Sequence, residues 1–338
     1  TAGTNFLGTT DDQALEFHVN STRVMRFEPN ATSPNIVAGH SGNGAVPGVW
    51  GAVISGAGNA SIPNVVTDHY GVIGGGEDNT AGSDDGDLTN AEFATVGGGS
   101  GNRGTGIFTT VGGGSGNEAS GFGAVVAGGE TNEASGFVTT VSGGVDNVAA
   151  GDGAVIGGGA ENLAEGELSV IGGGFANDAP GDAATIGGGE DNIADAAYAA
   201  IGGGLNNVSG GDYACIGGGE TNVASGQWAT VSGGTGNNAA GQYSAVCGGG
   251  NNVATMAFAV VAGGSDNQAT ADDAFVGGGD ENVASGNYAS VVGGHLNTAS
   301  GWYAAVGGGI SNLTTGLGAA VAGGGQNAAE GDFSFAAG

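Results

Sequence analysis

Residues 213–227 read YACIGGGETNVASGQ, and residues 228–242 follow with WATVSGGTGNNAAGQ, the same pattern fifteen residues later. In both units a Val or Ile stands before the glycines, an Asn stands six residues after it, and an Ala stands eight residues after it. We call this Val or Ile the anchor. Working outward, the spacing of 15 holds without an insertion or deletion at sixteen anchors: Val96, Val111, Val126, Val141, Ile156, Ile171, Ile186, Ile201, Ile216, Val231, Val246, Val261, Val276, Val291, Val306 and Val321.

This period decides the fold class. Fifteen residues are too few for a helical-hairpin repeat or a propeller blade. The glycines in each unit also disfavour a helix, because each costs ~1 kcal/mol relative to Ala. Alternation of small residues around the anchor predicts a short strand, and fifteen residues at ~3.3 Å each make a closed path of roughly 50 Å. The sequence therefore predicts an all-β fold, a parallel β-solenoid (β-roll) of 15-residue coils stacked at ~4.8 Å.

Each column of the repeat then has a predicted role. We expect the anchors to point inward and stack on one another, with alanines filling a narrow interior. The Asn column predicts a left-handed (αL) corner and a ladder of stacked amides. A further column, three residues before the anchor, is rich in aromatic residues. We expect them to form a stacked ladder or to pack against another subunit, and sugar binding is the alternative: Phe93, Phe108, Tyr198, Tyr213, Trp228, Tyr243, Phe258, Tyr288 and Tyr303.

The chain divides into three predicted regions. Residues 1–32 contain two apolar stretches around Asn20-Ser21-Thr22, which predict an N-terminal β-hairpin that caps the first coil. Residues 33–92 contain the earlier anchors Val37, Ile54 and Ile73, separated by longer loops. Residues 93–338 form the regular repeat, and Ala336 continues its phase.

The composition excludes several functions. Lys plus Arg number 3 against 33 Asp plus Glu, the net charge is −30, and there is no lysine. We therefore expect no nucleic-acid partner, since phosphate binding requires basic side chains. No apolar run approaches the ~18 residues of a membrane-spanning helix, so we expect no direct membrane insertion. Such an acidic surface fits high salt, where counter-ions screen its self-repulsion.

The sequence also resembles a known family. Phe93-Ala94-Thr95-Val96-Gly97 and Asn222-Val223-Ala224-Ser225-Gly226 resemble the head repeats of YadA-like trimeric autotransporter adhesins. The opening segment, residues 5–11, and the closing segment, residues 332–338, look like parts of related uncharacterised prokaryotic surface repeat proteins. The resemblance implies a left-handed parallel β-roll that associates as a trimer and binds host or matrix surfaces. The glycine triplet and the Asn in every unit depart from the usual adhesin pattern.

Candidate sites are few. The carboxylates Asp84, Asp85 and Asp87 on a glycine turn are the best candidate for a Ca²⁺-type cation site, although a solvated acidic loop is the plainer reading. Acids in the column four residues before the anchor are more simply a solvated face than ordered cation sites. Five Asn-x-Ser/Thr motifs are candidate glycosylation sites, of which the last two belong to the Asn column: Asn20, Asn30, Asn59, Asn207 and Asn312.

No constellation of catalytic residues is apparent. The four histidines occupy unrelated positions, and Asp68-His69 is the only acid–imidazole neighbour, with no nucleophile assigned to it. Cys215 and Cys247 fall two coils apart, beyond the ~7 Å between Cα atoms that a disulfide allows, so we expect free, packed thiols. We therefore predict that the protein is not an enzyme and has no cofactor other than cations.

The predicted function is that of a secreted fibrous structural protein or adhesin on the cell surface. Cores of Ala and Gly bury little apolar area, so we expect a homotrimer packed through the aromatic column, able to join end to end as a filament. Surface glycans or a host receptor are candidate partners. Two alternatives are a viral tail fibre or capsid spike on a virion, and an ice-binding solenoid with a flat Thr-bearing face.

Overall fold

The computed structural model describes residues 7–338; Asn5 and Phe6 of the opening segment lie outside the described residues. The described residues contain strands, bridges and turns, and no helix. The chain divides into an N-terminal unit that ends at Leu168 and a C-terminal unit, Ser169–Gly338. Both units confirm the predicted all-β fold, a parallel solenoid of stacked coils.

The N-terminal unit begins with the expected hairpin. Strand β1 (Leu15–Val19) pairs antiparallel with β2 (Thr22–Glu28). Asn20 and Ser21 both have positive φ, 48° and 60°, the conformation that a two-residue hairpin turn requires. Strand β2 then pairs antiparallel with β3 (Asn35–Ala38), the strand of the first coil, so the hairpin covers that coil's edge.

Each coil contains one strand that carries the anchor, which we call the anchor strand. In the N-terminal unit these strands are β3, Val53–Ile54, Val72–Ile73, Thr95–Val96, Thr110–Val111, Val125–Val126, Thr140–Val141 and Val155–Ile156. In the C-terminal unit they are Val170–Ile171, Thr185–Ile186, Ala200–Ile201, Cys215–Ile216, Thr230–Val231, Ala245–Val246, Val260–Val261, Phe275–Val276, Ser290–Val291, Ala305–Val306, Ala320–Val321 and Phe335–Ala336.

A second strand in each coil follows the Asn column. In the N-terminal unit these strands are Gly44–Ala45, Val65–Val66, Thr80–Ala81, Arg103–Gly104, Glu118–Ala119, Glu133–Ala134, Val148–Ala149 and Leu163–Ala164. In the C-terminal unit they are Asp178–Ala179, Ile193–Ala194, Val208–Ser209, Val223–Ala224, Asn238–Ala239, Val253–Ala254, Gln268–Ala269, Val283–Ala284, Thr298–Ala299, Leu313–Thr314 and Ala328–Ala329.

The coils stack in parallel register. Thr230 pairs with Ala245 on the anchor strands, and Val223 pairs with Asn238 on the second strands, both at an offset of 15 residues. A bridge such as Glu220–Thr235 adds a third contact per coil. In the first coils the offsets between anchor strands are 17, 19 and 23 residues, because loops are inserted at the corners.

The interior is as narrow as the composition predicts. Every anchor from Val96 to Val321 is at most 1 % exposed. The residue two before the anchor and the residue eight after it are buried as well, and are mostly Ala, as in Ala229 and Ala239. The core positions are occupied by small side chains because the space between the two strands has no room for larger ones.

Asparagine amides form a continuous ladder inside each unit. The Oδ1 of Asn207 accepts hydrogen bonds from the backbone N–H of Asn222 at 3.0 Å and from its Nδ2 at 3.1 Å. The Nδ2 of Asn222 also donates to the carbonyls of Gly218 and Gly234. A Cβ on Gly219 would lie 2.1 Å from the Gly234 carbonyl, so this position requires Gly. The amide ladder joins each coil to both neighbours and satisfies buried backbone groups.

The expected αL conformation at these asparagines is wrong. Positive φ occurs instead at the residue before the Asn, as in Thr221 (54°), and at the residue three before the anchor, as in Trp228 (57°). The cause is the direction of the Asn side chain: it points inward, where its amide is fully hydrogen-bonded. The exposed residue before it makes the corner.

The anchor's contribution can be measured with one adjacent pair of valines. Val261 is fully buried, whereas Val260 in the same strand points outward and is only half-buried. We expect Val261→Ala to lower the free energy of unfolding by about 2 kcal/mol, since each buried methyl contributes ~0.8 kcal/mol and a cavity remains. Val260→Ala should cost less than half of this. Equal shifts of the denaturation midpoint would contradict the assigned orientation.

Asn207 and Asn206 offer the same comparison for the amide ladder. Asn207→Ala leaves the backbone N–H and Nδ2 of Asn222 without their shared acceptor, which should cost about 1–3 kcal/mol of unfolding free energy. Asn206 is exposed at the αL corner, a position that Ala176 fills in another coil. Asn206→Ala should therefore have a much smaller effect on the thermal midpoint. A ladder without energetic importance would give two indistinguishable variants.

Candidate functional site

Stacked aromatic rings stand at one corner of successive coils. In the C-terminal unit the rings of Tyr198, Tyr213, Trp228, Tyr243 and Phe258 lie face to face, with centroids 4.8–5.6 Å apart and planes within 12° of parallel. Tyr288 and Tyr303 form a second, shorter stack at 4.9 Å. We call these two stacks the aromatic ridge. The predicted aromatic ladder is present, and the spacing of its rings follows the rise of one coil.

The N-terminal unit contains a similar stack. Tyr70, Phe93 and Phe108 lie face to face, as do Phe122 and Phe137, whereas Phe108 meets Phe122 edge to face at 82°; the centroids are 4.9–5.6 Å apart. Phe122 and Phe137 stand four residues before their anchors, one position earlier than the aromatic column, and the sequence analysis missed them. Gly123, which takes the usual aromatic place after Phe122, was the available signal, because a ring can move to the neighbouring corner position when its own is empty.

The corner backbone determines where these rings point. Trp228 and Tyr243 have φ of 57° and 58°, a conformation that bulky residues rarely adopt and that costs of order 1–3 kcal/mol. Their N–H groups donate to the carbonyls of Asp212 and Gln227 in the preceding coil, each at 2.9 Å. Ring stacking contributes about 0.5–1.5 kcal/mol per pair and so offsets part of the strain.

Stacking also limits what the ridge can bind. The faces of the inner rings are covered by their neighbours, while 39–57 % of each residue remains exposed. A sugar packs against an open aromatic face, which Tyr213, Trp228 and Tyr243 do not provide. The ridge instead presents a row of ring edges, which suits packing against another protein surface.

Carboxylates in the column four residues before the anchor have a structural role in two places. The Oδ1 of Asp152 accepts the backbone N–H of Phe137 at 2.9 Å, and the Oδ1 of Asp332 accepts that of Leu317 at 3.0 Å. In both cases the acid stands one coil after the donor. These exposed carboxylates cap backbone groups at the corner, in keeping with a solvated face.

The loop predicted to hold a cation uses its carboxylates internally. The Oδ1 of Asp85 accepts the Asp87 N–H at 2.9 Å, and its Oδ2 accepts Nδ2 of Asn90. These two hydrogen bonds lower the pKa of Asp85 below its ordinary value, and the bond from the Asp87 N–H has the larger effect. Asp87 accepts from Thr89, and Asp84 is exposed. No three His, Cys, Asp or Glu side chains in residues 7–338 converge to hold a metal, so the structure does not assemble Asp84, Asp85 and Asp87 into such a site.

The glycosylation candidates separate into two groups by burial. Asn20 and Asn30 are exposed, and Asn59 is half-buried with its Nδ2 on Glu77. Asn207 and Asn312 are 0–1 % exposed members of the amide ladder. The expectation that these last two accept glycans is wrong for the folded chain, because their Nδ2 atoms are inside the coil and hydrogen-bonded.

The Asp68-His69 pair has a packing role. Buried Asp68 accepts the backbone N–H groups of Ser83 at 2.7 Å and Ala91 at 3.2 Å, so its carboxylate holds the loop between them. His69 is 2 % exposed and stacks on Trp50 with ring centroids 3.4 Å apart. Both side chains are therefore occupied by structural contacts.

Cys215 and Cys247 are free thiols, as expected, but the prediction that they are packed is wrong. Both are exposed, because Cys215 precedes its anchor and Cys247 follows its anchor, and both of these positions face outward. The inward positions of those coils are already filled by Ile216 and Val246.

No family model matches the chain, and no curated protein was found to be similar to it. Within residues 7–338, no helix has the length and apolar character needed to cross a membrane. The cation loop, the Asp68-His69 pair and the buried asparagines are occupied by internal contacts. The exposed aromatic ridge is therefore the remaining candidate for a functional site.

Proposed function

We propose that the chain is a non-enzymatic, fibrous structural protein or adhesin that is secreted and displayed outside a cell. The observation that carries this proposal is the uniform use of each coil's interior. Anchors, alanines and the amide ladder all serve to join one coil to the next, and successive coils pair at three places. Sequence variation is left to the outward columns, as in proteins whose task is to extend and present a surface.

The acidic and imidazole groups considered for catalysis make structural contacts instead. Asp68 accepts backbone N–H groups, His69 packs on Trp50, and His295 lies 3.0 Å from the exposed carboxylate of Asp280. None of these residues has a nucleophile aligned with it among the described contacts. This supports a structural rather than a catalytic role.

The proposed assembly is a homotrimer that can extend end to end. The interior buries mostly Ala and a single Val or Ile per coil, so a second buried surface would add apolar area that the narrow core lacks. The half-exposed ring edges of the ridge supply such a surface. A charge of −30 without lysine supports a setting rich in salt.

Electron microscopy of the native material, with light scattering of the purified chain, tests this proposal. We expect thin filaments at the cell surface and a mass three times 31.6 kDa in solution. If the filaments were found on virions rather than on cells, the viral fibre would be favoured instead. A cytoplasmic location or a stable monomer at every concentration would overturn the proposed role or the proposed trimer respectively.

Salt should stabilise the protein. Repulsion among 33 acidic side chains is screened as ionic strength rises, and the Debye length falls from about 10 Å at 0.1 M to about 3 Å at 1 M. We expect the thermal midpoint to rise by several degrees between low and molar NaCl. Choline chloride, which shares no specific cation chemistry with NaCl, is the control for screening alone. A midpoint that falls with both salts would contradict the high-salt setting.

A further inference from the structure

The outward face of the anchor strands carries no charge in the regular coils of either unit. The residues immediately before and after each anchor point outward on the anchor strand, and from residue 93 to residue 338 none of them is Asp, Glu, Lys, Arg or His. The same segment contains 22 acidic residues, all in other columns. In a chain of net charge −30, these two columns are neutral in every regular coil.

The aromatic ridge borders this neutral surface. In the C-terminal unit we define the neutral strip as the residues three before, one before and one after each anchor; Asp273 is its one charged member. Its members are exposed or half-exposed, among them Thr185 and Thr230 before their anchors and Val292, 60 % exposed, after its anchor. Most of the others are Gly, Ala, Ser, Val or aromatic residues.

We infer that the neutral strip is the surface on which a second copy of this chain packs. The first argument is charge. The other outward columns carry acids, so two copies that met through them would bring carboxylates together and desolvate them. Two neutral strips meet with almost no such penalty, and depletion of charge is what distinguishes the core of a protein interface.

The second argument is area. Twelve anchor strands in the C-terminal unit give a length of about 53 Å at ~4.8 Å per coil, and four residue steps give a width of about 13 Å. The strip therefore offers roughly 700 Å² per copy, close to the ~800 Å² per partner of a stable interface. A small ligand would cover only a fraction of this area.

This inference rests on the proposed self-assembly and names the surface that it uses. It also accounts for the two cysteines. Cys215 and Cys247 are both on the neutral strip, and both are exposed in the single chain. When a second copy packs there, these thiols become covered, so the native chain carries its own two reporters of the contact.

The first experiment adds charge to the strip. Thr185→Asp with Thr230→Asp places carboxylates in a column that has none, and the matched control Ser225→Asp changes a column in which Asp195 already stands. Juxtaposed like charges should weaken association by about 100-fold or more, as measured by sedimentation or light scattering, while the control associates like the wild type. Thermal unfolding at dilute concentration checks that all three chains fold.

The second experiment measures alkylation of the native thiols. At concentrations where the wild type is associated, Cys215 and Cys247 should react with a maleimide at least about tenfold more slowly than in dilute solution, because only free copies react. Ser225→Cys, in a chain whose native cysteines are changed to Ser, is the control and should react equally fast at both concentrations.

The outcomes separate the two proposals. An associated wild type with fully reactive cysteines, and a doubly charged variant that associates normally, would overturn the strip as the contact but leave self-assembly intact. A wild type that is monomeric at every concentration would overturn both. Thermal hysteresis of a monomer in ice, or glycan-array binding that the Thr185→Asp and Thr230→Asp changes abolish, would assign the strip to another occupant and overturn the inference.

Discussion

Every coil places one asparagine amide in its interior, and that amide has partners in both neighbouring coils. The Nδ2 of Asn222 reaches the Gly234 carbonyl in the next coil, while its N–H is held by Asn207 in the previous one. This fixes the residues around it. Glycine is required where a Cβ would meet the next carbonyl, the corner moves to the residue before the Asn, and the second strand begins at the residue after it. A buried amide that is fully satisfied is held in one arrangement, so coils that repeat it are kept in register within each unit.

The sequence predicted the parts of the structure that depend on period and side-chain volume. Anchors such as Val231, alanines such as Ala239 and the hairpin before the first coil all follow from alternation, size and turn chemistry. The corner conformations could not be predicted in the same way. Trp228 and Tyr243 adopt positive φ because hydrogen bonds to the preceding coil hold them there. The intrinsic backbone preferences of Trp and Tyr do not predict this conformation.

Candidate sites were less predictable than the fold. Asp85 and Asp87 satisfy a composition rule for a cation site, but their oxygens accept hydrogen bonds from their own loop. Asn207 satisfies a glycosylation motif, but the same amide is part of the ladder. In both cases a short motif shows which polar atoms are present, whereas the fold determines which of those atoms are already hydrogen-bonded and therefore not free to bind a ligand. The charge-free columns were visible in the sequence, but their exposure became known only when the direction of each side chain was known.

The irregular first coils have a genetic consequence. Offsets of 17, 19 and 23 residues separate their anchor strands, yet Asn64, Asn79 and Asn102 each still bond the asparagine of the preceding coil. Extra residues are therefore tolerated at the corners, whereas the segment from the ladder Asn to the second strand has the same length in every coil. A gene for such a chain can gain or lose whole coils by in-frame duplication or deletion, and its corner loops can diverge freely. Any other change in length within a coil would break the ladder, so lineages of this protein should differ in the number of coils and in their corner loops, with a constant spacing from Asn to the following strand.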